Sequence, residues 1–201
     1  MSNKVKYGLK NVYYAVATID AATNTATYST PVAWPGAVNL SLDAEGETTK
    51  FRADNVDYWV GQSNNGYSGD FESALIPDSF RTDVLGDIKD TNDVIVENAG
   101  APTKAFALLF QFEGDANATR HVLYNCTATR PSVSGATTEE EIEPQTESLT
   151  ITSKPRTDGL VKSKTGDTTA TATYEGWYNE VYVPTLATAT PATPATPGAT
   201  G

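Results

Sequence analysis

The chain is nearly devoid of the residues from which catalytic and metal centres are usually built: its 201 positions hold one cysteine, Cys126, and one histidine, His121. A single cysteine excludes an intramolecular disulfide, and one cysteine with one histidine excludes a Cys/His metal cluster. No Gly-x-Ser-x-Gly elbow, His-Glu-x-x-His helix or phosphate-cradling glycine loop occurs. The acidic run of Glu139, Glu140, Glu141 and Glu143 lacks the interleaved oxygen ligands of a calcium loop, and reads as a solvated excursion. The expectation is therefore a protein with no catalytic residues, no metal and no cofactor. Long apolar runs are missing too. No stretch approaches the roughly 18 apolar residues of a membrane span. Lys4, Lys6 and Lys10 are not followed by an apolar run of signal-peptide length, so synthesis and assembly in a cytoplasm are expected. Bases are scarce: 14 against 25 acids give a net charge of −11, a surface that repels phosphate and does not read DNA.

With only 19% charged residues, much of the chain is threonine, serine, asparagine and glycine, the vocabulary of strands and turns, and an all-β domain is expected. Val38-Asn39-Leu40-Ser41-Leu42-Asp43 alternates strictly, as does Glu147–Lys154 with Leu149 and Ile151 on one side. Val12–Ile19, Thr25–Val32, Val56–Val60 and Val94–Glu97 read the same way between Asp, Asn, Gly and Pro clusters. Phe106–Phe112 is apolar on both faces as far as Gln111, and wants cover on both. A flanking helix is the simpler cover and a subunit contact the other. In Arg120–Thr129 unbroken alternation sets His121, Leu123, Asn125 and Thr127 opposite Val122, Tyr124, Cys126 and Ala128. That separates the thiol from the imidazole and opposes a nucleophilic pair.

The richest segment is 64–86. Asn65-Gly66 predicts a tight turn with positive φ, and Tyr67, Gly69, Phe71, Ser73 and Leu75 then share one side of a strand. Pro77, Asp78 and Gly86 bracket a short helix whose apolar side is Phe80, Val84 and Leu85. Between Asp43 and Gln62 the chain is polar until Tyr58-Trp59-Val60, which predicts a projecting hairpin or loop. From Thr185 to Gly201 only Pro, Ala, Thr, Gly and one leucine follow, so the expected organisation is a β domain over 1–184 and an extended or disordered Ala/Thr/Pro-rich tail over 185–201.

Three runs together, Lys6–Ala15, Asn64–Gly86 and Arg120–Pro131, resemble the major tail proteins of long-tailed, non-contractile bacteriophages, and the likeness extends to Pro35–Leu42 and Trp177–Pro184. What the resemblance implies is an antiparallel β-sandwich or barrel-like tail tube fold with a short flanking α-helix. The subunit would assemble as hexameric rings stacked into the hollow tail tube of a virion. It would meet tape measure and tail-end proteins, and double-stranded DNA would pass without specific binding. Asp43, Asp70 and Glu72, opposite the apolar side of their strands, are the candidate lumen-facing acids. Glu45, Glu47, Lys50, Arg52, Asp54 and Asp57 form the candidate ring-stacking loop. Two alternatives stay open: the inner tube protein of a contractile tail or secretion device, and a carbohydrate-binding β-sandwich module with Trp34, Trp59 and Trp177 as stacking residues.

Overall fold

The computed structural model describes residues 3–20, 25–137 and 144–185. Thirteen strands follow in chain order: β1 (Lys6–Asp20), β2 (Thr25–Tyr28), β3 (Val32–Ala33), β4 (Ala37–Glu45), β5 (Thr48–Ala53), β6 (Val56–Gln62), β7 (Gly66–Ser73), β8 (Ile88–Lys89), β9 (Ile95–Val96), β10 (Phe106–Gly114), β11 (Thr119–Ala128), β12 (Glu147–Ser153) and β13 (Lys162–Lys164). Helix α1 (Asp78–Asp83) lies between β7 and β8, and α2 (Thr171–Glu175) runs into a 3-10 turn at Gly176–Tyr178. Nine strands form one antiparallel sheet in the order β2-β1-β10-β11-β12-β7-β4, with β3 on β1 and β13 on β11. The mainly β, antiparallel fold with a short flanking helix matches the expectation from the sequence.

The main core joins Tyr14, Phe106, Leu108 and Leu123 from one half of the sheet to Phe71, Leu149 and Ile151 from the other, so the sheet is folded over upon itself. Helix α1 completes this core. Pro77 precedes its first residue, Phe80, Val84 and Leu85 are fully buried, and Gly86 leaves the helix at φ +80°. Glu147 on β12 fixes the helix from outside, accepting from the Ile76 amide at 2.6 Å and from Arg81 at 3.0 Å.

A second core lies on the other face of β1, β10 and β11, where Ala15, Ala107, Leu109, Val122 and Tyr124 are covered by Trp177 and Val181. This accounts for the doubly apolar Phe106–Phe112. Its Phe106, Leu108 and Phe110 enter the main core, on the side of α1, while the C-terminal segment covers the opposite side. Helix α1 is thus not the second cover, and the strand is buried from Phe106 to Gln111, which withdraws it as a subunit contact.

Local register explains other departures from plain alternation. A shift between Ala37 and Asn39 turns Ala37 inward with Leu40 and Leu42 and leaves Val38 half exposed, because a bulge inverts the faces of what precedes it. Strand β1 carries two such shifts, at Gly8 (φ +57°) and near Asn11 (φ +49°). The strand of 64–86 stops at Ser73, so Leu75 is exposed. At the turn before it only Gly66 has positive φ, and its amide donates to Asn64 Oδ1 in a local side-chain turn. Thr25–Val32 is split into β2 and β3. Glu139–Glu143 and all but Thr185 of the 185–201 tail lie outside the described residues.

Candidate functional site: a bare polar sheet face and a projecting hairpin

On the half of the sheet opposite the C-terminal cover, the outward residues of β4, β7 and β12 make one uncovered face. Strand pairing fixes its layout: Asp43 stands beside Ser68 and Thr152, Ser41 beside Asp70 and Thr150, and Asn39 beside Glu72 and Ser148. Every member is a hydroxyl, amide or carboxylate, because each alternates with a residue committed to the core or its rim. The face is knitted by side chains: Thr150 donates to Asp70 at 2.8 Å, Thr146 to Glu72 at 2.5 Å, and Ser68 and Thr152 share a hydrogen bond of 3.2 Å. The structure therefore brings together Asp43, Asp70 and Glu72 on one surface, although they come from two strands. No lysine or arginine occupies the described positions of this face.

Beyond Glu45, β5 and β6 leave the sheet as a separate two-stranded hairpin. Its turn is Asp54-Asn55, both with positive φ (+51° and +65°), the backbone of a two-residue turn whose twist matches the strands, adopted by two residue types that tolerate it. One face is charged, with Asp57 between Lys50 at 3.0 Å and Arg52 at 3.4 Å. The other pairs Phe51 with Trp59 and Ala53 with Val56. Phe51, Val56 and Trp59 are each more than half exposed. The stacking candidates Lys50, Arg52, Asp54 and Asp57 lie in this hairpin, with Glu45 and Glu47 at its base. Charge drew attention to the segment, whereas its exposed side includes the aromatics that composition alone presented as a late apolar patch. Exposed apolar patches of this kind are what protein interaction sites are commonly built from.

The remaining chemical candidates separate cleanly. Trp34 and Trp177 are 1% and 2% exposed, core residues donating to Ser73 and to the His121 carbonyl, and only Trp59 reaches solvent. Three tryptophans thus make no common stacking platform. The expected opposite-face placement of Cys126 and His121 is overturned: a register shift in the β10–β11 pairing turns Cys126 into the main core with Leu123, on the side that His121 also faces. The two remain apart along β11, His121 opposite Phe110 and Cys126 opposite Phe106. Burial pushes the Cys126 thiol up to about 12, and burial together with Lys162, Lys164 and Lys6 brings His121 down to about 4, so neither thiolate nor imidazolium is favoured at neutral pH. Among the described residues no three His, Cys, Asp or Glu side chains are grouped to hold a metal ion, and no helix is long and apolar enough to cross a membrane.

No family model matches the chain, and no curated protein matches it. Solved structures that the chain partly resembles include the sheath/tube terminator of an extracellular contractile injection system in its extended state, at 9% identity and TM-score 0.44, over 78% of this chain and 94% of the other. The tube-terminating cap of the anti-feeding prophage matches at 10% identity and TM-score 0.43, over 80% and 93%. A chain of the sheath-tube complex of the same extracellular system matches at 9% identity and TM-score 0.44, over 81% and 93%. Overlap this loose leaves the function to be argued from the surfaces themselves.

Proposed function

We propose that this protein is a structural, non-enzymatic subunit of a phage-type tail tube, closing into hexameric rings whose stacking encloses a channel for double-stranded DNA. The observation that carries the reading is the uncovered β4–β7–β12 face, where Asp43, Asp70 and Glu72 sit among hydroxyls with no base between them. A conduit for a polyanion has to avoid gripping it. Phosphate binding is driven by release of condensed counterions to lysines and arginines, and a wall of carboxylates and hydroxyls offers no such exchange. A buried apolar layer closes the opposite side of the molecule through the C-terminal segment, which leaves this face as the large polar sheet surface.

Ring closure requires one heterologous contact and stacking a second. Among the described residues strand β4 pairs along one side only, with β7, and its other backbone edge is the candidate for the first. The hairpin β5–β6, with Phe51 and Trp59 exposed, is the candidate for the second. Tape measure and tail-end proteins would cap the stack, and the virion tail is the place of action. Replacing Asp70 and Glu72 together by lysine tests the lumen assignment. Tubes containing the variant should form, and DNA passage through them should slow. Unchanged passage would remove both residues from the channel wall.

A further inference from the structure

The hairpin β5–β6 has a smaller counterpart that the tube reading leaves unused. Strands β8 and β9 form a second isolated two-stranded ribbon, with Ile88 directly opposite Val96. Val94 shares their side by alternation, and all three are about half exposed. The tip of the ribbon is held by its own backbone and one side chain: the Asp90 amide donates to the Val94 carbonyl at 2.9 Å, and Asp90 Oδ1 accepts from the Asn92 and Val94 amides, each at 2.8 Å. Its base is held as firmly. The Asp87 amide donates to the Arg81 carbonyl at 3.0 Å, and Arg130 binds Asp87 at 2.7 Å and Glu97 at 3.2 Å. An exposed aliphatic face on a frame already ordered gives up little further entropy when a partner covers it.

We infer that this Ile88–Val94–Val96 face receives the Phe51–Trp59 face of the hairpin of a second copy. The two faces belong to opposite ends of the same strands. The hairpin joins β7 at Gly66, whereas the ribbon starts beside Arg81, which Glu147 holds, and Glu147 pairs with Ser73 at the far end of β7. Eight residues of strand, about 25 Å, lie between. Both faces are exposed in one molecule, so a chain does not cover its own ribbon with its own hairpin. Charge favours the unlike pairing. Segment 87–97 has four acids and one lysine, and Arg130 between Asp87 and Glu97 still leaves it net negative, so two ribbons repel each other. Segment 48–62, with two acids and two bases, brings no such penalty to the ribbon. Aromatic rings laid on branched aliphatic side chains then exclude water from both. A contact between unlike surfaces at opposite ends is heterologous, and it propagates from copy to copy without closing a symmetric pair.

This inference names the receiving surface for the stacking hairpin and so rests on the tube reading for its purpose, but it is tested without rings. F51A/W59A disables the hairpin and I88K/V96K the ribbon, each at exposed positions that should leave the urea midpoint at its wild-type value. Methyl-labelled F51A/W59A chain, kept dilute and titrated with unlabelled I88K/V96K chain, should show saturable shifts of the Ile88, Val94 and Val96 methyls. An added chain carrying all four substitutions should bind at least about tenfold more weakly. Preformed rings of either double variant alone should stay single, and mixing the two should give paired rings that grow no further. Unmoved ribbon methyls, or equal binding by the fourfold variant, would overturn the inference, as would self-association of I88K/V96K through its intact hairpin. Methyl shifts together with a wild-type chain that forms no rings would sink the tube reading and leave the inference standing. Full tubes grown from I88K/V96K alone would sink the inference and leave the tube reading standing.

Discussion

Removing the ring of Phe80 tests the packing argument most sharply. Its side chain is fully buried, 5.1 Å edge-on to Tyr14, 5.2 Å edge-on to Phe106 and 4.3 Å from Trp34 between ring centroids, so α1 is seated through one residue on three aromatics from β1, β10 and the β3–β4 link. Phe80→Ala loses the transfer free energy of the ring and leaves a cavity that these three large, mutually wedged rings cannot readily collapse into. The cost falls in the ~3–5 kcal/mol range of buried Phe→Ala changes, toward its upper half because the aromatic pairs contribute beyond area burial. Native domains have only about 5–15 kcal/mol in all, so the variant would sit close to its limit. With a urea slope of about 2 kcal/mol per molar, the unfolding midpoint should fall by about 2 M with the slope unchanged. A loss under about 1 kcal/mol would mean that α1 is a loosely attached appendage and that the core closes without it.

Phe51→Ala and Trp59→Ala, by contrast, should change stability by under ~0.5 kcal/mol, as exposed positions do, yet block growth beyond single rings in sedimentation. Stability should also depend on His121. Burial and three nearby lysines hold its folded value at about 4 against 6.5 unfolded, so between those limits the unfolded chain binds a proton that the native chain refuses. The His121 contribution is thus complete above about pH 6.5 and is lost as pH falls to about 4. Urea midpoints of wild type and His121→Gln should converge over that interval, and parallel pH profiles would contradict the assignment.

Much of the architecture was legible because short-range physics and the final fold agree. The Pro77–Gly86 segment carries its own start, apolar side and stop, and α1 forms there with Phe80, Val84 and Leu85 inward. The hairpin was legible as an excursion, since a long polar stretch has little to bury. Asp43, Asp70 and Glu72 were readable as outward residues from alternation alone. Their convergence on one face depends on β4 and β12 flanking β7, a pairing of distant segments that no local pattern announces. Bulges escaped for a related reason. At Val38, and between Leu123 and Cys126, one extra residue swaps the two faces, and alternation carried through such a point inverts everything beyond it. The cover over Leu109 and Tyr124 escaped because Trp177 and Val181 reach them from a segment without strand character.

The central claim, that the uncovered acidic face becomes the wall of a channel, is met most directly by electron cryo-microscopy of the purified chain at high concentration. The account predicts hollow tubes of stacked six-fold rings in which density for β4, β7 and β12 lines the bore, with Asp43, Asp70 and Glu72 facing it. A chain that stays monomeric at high concentration, or tubes whose bore is lined by the Trp177 side of the molecule, would contradict it.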